Sequence, residues 1–302
     1  MRCLCLLLTL LCTSSWAQET VDLNVALMKS TFMLEGRGAN GRPTTGTGFV
    51  MMSPFSGQAQ NATTLSGKAV LITAAHVLNE MVGDEAVIYL RFQQGTSATW
   101  SVVPARFKIR RNGQPLWKQH PTADVAVMYL GLPALSIAVP TSLLANDEVL
   151  KKADIVPGVG LKSLGYPLGD STAGGFPILR TGVIASYPIF PTTETKTFLF
   201  DFRVFKGNSG GPVYFAEPVV KGSAYTCCRP TFIMGLVSGE HLLTVPIDEV
   251  YESGTKSLQL SLAVVVHASL ISQTIGQLPP PESMEANELT IPVVPVQVPQ
   301  SH

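Results

Sequence analysis

The stretch Lys206-Gly207-Asn208-Ser209-Gly210-Gly211-Pro212 decides how the rest of the chain is interpreted. Glycines on both sides of one serine allow the backbone to turn sharply and another chain to come close. In such a turn the amides of Gly207 and Ser209 can point at one spot, where a negatively charged oxygen would form. A serine hydroxyl is a poor nucleophile alone, so this interpretation requires a base elsewhere. A Gly-rich hairpin without chemistry is the alternative.

Candidate partners for the serine lie upstream of it. His76 follows the apolar run Leu71-Ile72-Thr73-Ala74-Ala75, and Asp124 precedes the strand-like run Val125-Ala126-Val127. A histidine can accept the serine proton, and a carboxylate can fix the imidazole tautomer and stabilise the imidazolium. A carboxylate that enters a buried strand is costly unless it is hydrogen-bonded, which indicates a partner for Asp124. Taken singly, a core histidine and a turn aspartate are the simpler interpretations.

The same serine segment also matches G-x-S-x-G, the nucleophile elbow of α/β-hydrolases. That elbow leads into a helix, and its acid and histidine follow the serine. Here the glycines and Pro212 are followed by Val213-Tyr214-Phe215, which favours a strand, and both partners precede the serine. The elbow interpretation is therefore rejected.

In combination, the three segments resemble the catalytic motifs of the trypsin-like serine peptidases, and within them those of the HtrA-like (Deg-type) bacterial branch. The segments Leu164-Gly165-Tyr166-Pro167-Leu168-Gly169 and Thr181-Gly182-Val183-Ile184-Ala185-Ser186 resemble the opening of the second barrel in that branch. The resemblance covers about residues 23–275. It implies an all-β fold of two antiparallel β-barrels of the chymotrypsin/trypsin type, with the cleft between them.

The resemblance also implies roles for individual residues. Ser209 is the expected nucleophile, His76 the general base and then acid, and Asp124 the residue that orients His76. The amides of Gly207 and Ser209 are expected to form the oxyanion hole, with the Asn208 amide assisting.

Substrate contacts are expected from the turn before the serine and from the segment Gly235-Leu236-Val237-Ser238-Gly239, which resembles the strand that pairs with the substrate backbone. The predicted substrate-binding residues are Lys206, Val237, Ser238 and Gly239. Ser238 is also expected to face Asp124. Cleavage preference stays open between a small or medium apolar residue and an acidic residue selected by His241.

Two departures from the family pattern change expectations. Trypsin has an aspartate before its serine, which pairs with a freed N-terminus, whereas Asn208 carries no charge. We therefore expect no activation by N-terminal insertion. HtrA proteins continue into PDZ domains, but here residues 278–302 form only a Pro-containing tail, so we expect no PDZ domain.

Composition excludes several classes of function. The chain has 302 residues, 21 basic and 21 acidic, and 14% charged residues, against about 25% in an ordinary domain. No basic excess or stripe is present, so we expect no nucleic-acid partner. The chain contains no His-Glu-x-x-His motif and no Cys-x-x-Cys pair, so we expect no metal and no cofactor. Protein or peptide substrates are the expected partners, and the oligomeric state stays open.

Residues 1–17 are predicted to be a secretory signal peptide. Arg2 is followed by a short apolar run that ends at Cys12, and Ser15-Trp16-Ala17 offers small residues for cleavage. The apolar run is too short to span a bilayer, so no stable membrane span is expected. The predicted protein is exported, periplasmic or extracellular; a lipoprotein anchored through Cys12 is the alternative. Of the remaining sequence, the adjacent Cys227-Cys228 pair is interpreted as a loop feature without a catalytic role.

The domain boundaries follow from these segments. Residues 18–135 are predicted to form the N-terminal barrel, residues 136–157 a linker, and residues 158–277 the C-terminal barrel with a helix over 264–277. Residues 278–302 are predicted to be an extended, flexible tail. The expected function is an exported serine endopeptidase; a catalytically silent binding protein of the same fold and a small-ester hydrolase are the alternatives.

Overall fold

The computed structural model describes residues 22–54, 67–95, 98–132, 139–216, 230–249, 252–280 and 287–291. The predicted signal peptide and the Cys227-Cys228 pair lie outside these residues. Within them the chain is mostly β, and no helix is long and apolar enough to cross a membrane.

The N-terminal half of the described chain contains two short helices and nine strands. These are α1 (Leu23–Ser30), β1 (Thr31–Arg37), β2 (Pro43–Pro54), β3 (Gly67–Thr73), α2 (Ala75–Glu80), β4 (Glu85–Gln93), β5 (Trp100–Lys108), β6 (Arg110–Arg111), β7 (Gln114–Pro115), β8 (Lys118–Gln119) and β9 (Ala126–Gly131).

The C-terminal half contains the longer strands and a helix near its end. Its elements are a 3-10 turn (Thr141–Leu143), α3 (Asp147–Lys152), β10 (Gly160–Gly165), a second 3-10 turn (Pro167–Gly169), β11 (Ile178–Ile184), β12 (Thr197–Asp201), β13 (Pro212–Phe215), β14 (Phe232–Glu249), β15 (Glu252–His267), α4 (Ala268–Ile275) and β16 (Asn287–Glu288).

One of the two predicted barrels is closed by hydrogen bonds. The C-terminal strands form a closed barrel in the order β10-β11-β12-β15-β14-β13. The N-terminal strands form an eight-stranded sheet in the order β16-β9-β3-β2-β1-β4-β5, with β8 beside β9, and this sheet stays open. The fold is mostly β with a short C-terminal helix, and the prediction of barrel closure is confirmed for the second barrel only.

Part of the predicted flexible tail belongs to the open sheet. Strand β16 pairs in parallel with the end of β9, with Asn287 opposite Leu130. Thr290 exchanges two backbone hydrogen bonds of 2.9 Å with Arg106 of β5 at the other edge of the sheet. For residues 287–291 the prediction of a flexible tail was therefore wrong, because unpaired edge strands offer free amides and carbonyls that this segment satisfies. Residues 281–286 and 292–302 lie outside the described part of the chain.

We expect this segment to stabilise the N-terminal sheet. A chain that ends at Pro280 loses the pairing on both edges, and its free energy of unfolding should fall by about 2 kcal/mol, which lowers the Tm by about 4–8 °C. A chain that ends at Ile291 is the matched control, because it keeps the paired segment. Thermal unfolding followed by circular dichroism measures both; equal Tm values for the two truncated chains would show that the segment contributes nothing.

The C-terminal helix is shorter than predicted. Residues 264–267 continue β15, where Val264, Val265 and Val266 pair with β12, and α4 begins only at Ala268. Three consecutive β-branched residues favour a strand over a helix, since their side chains lose rotamer freedom in a helix. The apolar spacing therefore placed the start of the helix at Val264, whereas the helix begins at Ala268.

The predicted linker contains a capped helix. Within residues 139–157, helix α3 begins after Asn146, whose side chain accepts a hydrogen bond of 3.0 Å from the amide of Val149. Acidic residues occupy its first turn and lysines its last turn, which complements the helix dipole. The described part of this connection therefore contains a stable helical turn.

A buried arginine joins the N-terminal sheet to the chain that follows β10. The guanidinium of Arg91 lies over the rings of Phe32 and Phe176, at 4.6 and 4.7 Å from their centroids. It donates to the hydroxyl of Tyr166 at 2.6 Å and to the carbonyl of Thr31 at 2.8 Å. Burial raises the pKa of Tyr166 to about 12, so this hydroxyl is neutral at pH 7. These contacts hold Tyr166 in place, close to the turn that contains Ser209.

Candidate active site

The central strands of the N-terminal sheet bring two of the predicted site residues to one end. Strands β3 and β9 are antiparallel neighbours with Thr73 opposite Ala126, and both are apolar runs because both faces are buried. His76 lies in α2, just after β3, and Asp124 lies in the turn just before β9. Since the end of β3 adjoins the start of β9, the imidazole and the carboxylate meet there.

The carboxylate of Asp124 accepts three hydrogen bonds. Its Oδ2 lies 2.6 Å from His76 Nδ1 and its Oδ1 accepts from the His76 amide at 2.9 Å. The hydroxyl of Ser238 donates to Oδ2 at 2.6 Å. A carboxylate can only accept, so Nδ1 carries the proton, and the lone pair of a neutral His76 ring lies on Nε2. The His76 side chain is 37% exposed, so the ring is not enclosed by the fold.

The pKa values of the pair move in opposite directions. Burial by itself lowers the pKa of His76, but the hydrogen bond and charge of Asp124, with a contribution from Glu80, outweigh it, and the pKa lies above its ordinary value of 6.5. Burial by itself raises the pKa of Asp124, but hydrogen bonds from His76 and Ser238 outweigh it, and the pKa lies below 3.8. Asp124 is thus ionised wherever His76 titrates.

Ser209 lies in a tight turn of residues 206–211, the serine turn, between β12 and β13. Gly207 and Gly210 have φ values of +98° and +86°, which residues with a side chain rarely adopt. A Cβ on Gly210 would lie 2.1 Å from the carbonyl oxygen of Thr47, and a Cβ on Gly207 would lie 2.2 Å from that of Tyr166. Both positions therefore require glycine for conformation and for space.

The hydroxyl of Ser209 and the carboxylate of Asp124 contact different groups of the same residue, Ser238. Ser209 Oγ donates to the carbonyl of Ser238 at 3.4 Å, and the hydroxyl of Ser238 donates in turn to Asp124. Within the described residues, Ser209 Oγ makes no hydrogen bond to the His76 ring. A 3.4 Å bond is long and weak, so the hydroxyl exchanges it readily for another acceptor.

The amides around Ser209 alternate between free and bonded. Those of Gly207 and Ser209 donate to no acceptor in the part of the chain that the structure describes. The Asn208 amide between them donates to the carbonyl of Phe205 at 3.0 Å. The prediction that Asn208 assists in the oxyanion hole was therefore wrong, because this amide is used inside the turn. Two unoccupied donors remain beside the serine hydroxyl.

Comparison with known protein families shows which family the chain belongs to. The family model described as "Trypsin-like peptidase domain" matches residues 46–220, which is more than half of the chain and includes His76, Asp124 and Ser209. The chain belongs to the trypsin-like peptidase family. No curated protein is significantly similar to it.

Several solved structures are similar to this trypsin-like peptidase. Rv3671c from M. tuberculosis H37Rv, in an inactive form, has a TM-score of 0.42 and 16% identity, covering 84% of this chain and 88% of that one. A structure described as HL collagenase has a TM-score of 0.47 and 14% identity, covering 84% and 96%. The protease Anisep from Arthrobacter nicotinovorans has a TM-score of 0.43 and 16% identity, covering 82% and 93%.

The predicted substrate-binding residues of this peptidase have different environments. Lys206 is exposed beside the serine turn, and Ser238 is half-buried between Asp124 and Ser209. Gly239 is half-buried, with open space where a Cβ would be. Val237 is fully buried, and its amide and carbonyl bond to Gly211 and Gly210. The prediction for Val237 was therefore wrong, since its side chain and both backbone groups are used inside the fold.

Sequence reasoning missed Thr47, which contacts the serine turn. Its hydroxyl donates to the carbonyl of Gly207 at 2.6 Å, and its amide donates to the carbonyl of Ser209 at 2.9 Å. The glycines on both sides of Thr47 indicate close packing, but nothing in the local sequence points to a partner 160 residues away. The contact exists only once the two sheets have packed together.

Proposed function

We propose that this trypsin-like peptidase is a serine endopeptidase that cleaves peptide bonds through an acyl-enzyme, with Ser209, His76 and Asp124 as its triad. One observation carries the proposal: Asp124 binds both His76 and the hydroxyl of Ser238, and Ser238 contacts Ser209 through its carbonyl, beside two unoccupied amides. The motif segments of both sheets support placement in the HtrA-like branch.

The first half of the reaction forms the acyl-enzyme. Ser209 Oγ turns from the Ser238 carbonyl and attacks the carbonyl carbon of the substrate while its proton passes to His76 Nε2. The carbonyl oxygen takes the negative charge and accepts hydrogen bonds from the free amides of Gly207 and Ser209. The C–N bond then breaks, and the imidazolium gives its proton to the leaving amine.

The second half of the reaction restores the enzyme. A water molecule attacks the ester carbon while His76 Nε2 takes one of its protons, and the bond to Ser209 Oγ breaks as the proton passes to that oxygen. Asp124 stays ionised throughout, because its pKa lies below its ordinary value. Its negative charge stabilises the imidazolium in both halves.

The neighbourhood of Gly239 supports a peptide substrate. Ser238 and Gly239 lie in β14 directly beside the nucleophile, and the space above Gly239 is open. A missing side chain allows another backbone to come close, as pairing with an extended peptide requires. A substrate held in this way presents one carbonyl to Ser209.

The proposal is tested with purified protein on casein and on a small ester, with Ser209→Ala beside the wild type. Cleavage of both substrates by the wild type alone supports the endopeptidase. Ester hydrolysis without casein cleavage favours a small-ester hydrolase. Folded wild-type protein that cleaves neither substrate is a binding protein of the same fold, and the proposal fails.

The pH profile provides an independent check of the base. Protonated His76 cannot accept the serine proton, so kcat/KM should fall about tenfold per pH unit below the pKa of His76. Because that pKa is raised, we expect the midpoint above 6.5. Glu80→Gln removes one of the charges that raise the pKa, so its midpoint should move to lower pH. A profile that is flat down to about pH 5 would exclude His76 as the base.

We also propose that the enzyme is exported to the periplasm or the cell exterior. This part rests on residues 1–17 alone, which lie outside the described residues. N-terminal sequencing of the native protein should begin near Gln18, and a retained Met1 would refute export through this segment.

A further inference from the structure

Three consecutive carbonyls of the serine turn, those of residues 206–208, each accept a hydrogen bond, two from outside the turn and one from within it. The Lys206 carbonyl accepts from the amide of Leu168 at 2.6 Å. The Gly207 carbonyl accepts from the hydroxyl of Thr47 at 2.6 Å. The Asn208 carbonyl accepts from the amide of Gly211 at 3.0 Å. Three consecutive peptide groups are thus each fixed through their oxygen.

These anchors determine where the amides point. In a trans peptide the N–H is directed opposite to the C=O of the same group. The peptide between Lys206 and Gly207 has its oxygen on Leu168, so the Gly207 N–H is directed away from Leu168. The next peptide has its oxygen on Thr47, which directs the Asn208 N–H away from Thr47, where it bonds to Phe205. Rotation of either group would change which amides are free.

Thr47 is well suited to act as such an anchor. It is completely buried in β2, so its side chain has no competing water. Its Oγ1 accepts from the amide of Tyr166 at 3.1 Å, which leaves the hydroxyl proton for Gly207. Its carbonyl accepts from the hydroxyl of Thr73 at 2.7 Å. The residue is therefore fixed by the N-terminal sheet while it holds a turn of the C-terminal barrel.

The second anchor is held in an unusual backbone conformation. Leu168 has a φ of +56°, which is strained for a leucine, and its side chain is 73% exposed. The side chain thus gains little from burial, and the strain is compensated by the hydrogen bonds of this turn. This conformation directs the Leu168 amide towards the carbonyl of Lys206.

We propose that Thr47 and Leu168 are positioning residues of the oxyanion hole. The Leu168 amide fixes the peptide group that carries the Gly207 N–H, and the Thr47 hydroxyl fixes the next peptide group, which keeps the Asn208 amide on Phe205 between the two free amides. This inference rests on the proposed function of the same site. Neither residue touches the reacting atoms. Each acts through the turn.

Matched pairs of variants test the two anchors. Thr47→Val removes the hydroxyl at similar volume, whereas Thr47→Ser keeps it. Leu168→Pro removes the amide proton and also excludes the positive φ, because its ring holds φ near about −65°, so it abolishes the anchor as a whole. Leu168→Gly keeps the amide and suits a positive φ. We expect kcat to fall about 10- to 100-fold in Thr47→Val and Leu168→Pro, because a misaimed donor loses much of its effect. KM should stay within about twofold, and Thr47→Ser and Leu168→Gly should stay near wild type.

A peptide boronic acid separates positioning from general damage. Its adduct with Ser209 places a boron-bound oxygen where the oxyanion forms, whereas the amine-side product peptide has no carboxylate at the cut to place there. Thr47→Val and Leu168→Pro should lose boronate affinity by about the factor lost in kcat and keep the affinity for the product peptide. Thermal unfolding shows whether each variant is folded at the assay temperature. If Thr47→Val is unfolded there, the two Leu168 variants test the inference, because this side chain is exposed.

The outcomes separate this inference from the proposed function. A wild type that neither cleaves peptides nor binds the boronate overturns the proposed function and this inference with it. An active wild type whose folded Thr47→Val and Leu168→Pro variants keep their kcat and boronate affinity overturns this inference alone. Equal losses in both members of a pair also overturn it, because the anchoring group is then irrelevant.

Discussion

Ser209→Ala is expected to lower kcat/KM on a peptide substrate by about 10⁶-fold and to leave the fold intact. The substitution removes the atom that forms the acyl bond, and the remaining groups cannot replace it. The hydroxyl makes one hydrogen bond in the described structure, the 3.4 Å contact with the Ser238 carbonyl. Its loss should therefore change the free energy of unfolding by less than about 1 kcal/mol.

The measurement combines steady-state kinetics with thermal unfolding of the same samples. Ser142→Ala is a matched control, because Ser142 is an exposed serine in the turn Thr141–Leu143. It should keep the wild-type rate and Tm. Hydrolysis by Ser209→Ala at the wild-type rate would refute the assigned nucleophile.

Asp124→Asn is expected to lower kcat/KM by about 10⁴-fold. The asparagine oxygen can still accept from the His76 amide, which leaves its NH₂ group facing Nδ1. An NH₂ group donates, so Nδ1 must accept and the ring proton moves to Nε2. With a proton on Nε2, the ring cannot take the proton of Ser209. The imidazolium also loses the charge that stabilises it.

The pKa of His76 provides a second readout for this variant. Because Asp124 is a main cause of the raised pKa, Asp124→Asn should lower the His76 pKa, as measured by NMR titration of the ring. Asp84→Asn, at an exposed position before β4, is the charge-matched control and should leave rate and pKa unchanged. An Asp124→Asn enzyme with wild-type activity would show that this carboxylate does not orient His76.

The parts of the site that were predictable from sequence are those with local signals. Glycines at 207 and 210 mark positions that require positive φ, and the apolar runs of β3 and β9 indicate buried strands that end beside His76 and Asp124. The contact of Ser238 with Asp124 was expected through a family resemblance, and the structure places these side chains 2.6 Å apart. The signals for the glycines and the strands are local, whereas the Ser238 contact, 114 residues from Asp124, was predicted only through the resemblance.

The parts that were not predictable depend on pairing across long stretches of chain. Whether an amide such as that of Asn208 is free depends on how the turn closes on Phe205, which residue types do not determine. Thr47 reaches Gly207 only after the sheets pack. The segment 287–291 carries no amphipathic pattern, because its role is to pair backbone groups at two sheet edges. Backbone hydrogen bonds of this kind leave little trace in sequence.

The central claim, that Ser209 is activated by His76 and Asp124, is tested most directly by labelling the purified protein with a fluorophosphonate. This probe phosphonylates an activated serine, and mass spectrometry of the digested protein locates the adduct. The account predicts one label on Ser209 in the wild type and no label in folded Ser209→Ala. Folded wild-type protein that remains unlabelled, or a label that persists in Ser209→Ala, would contradict it.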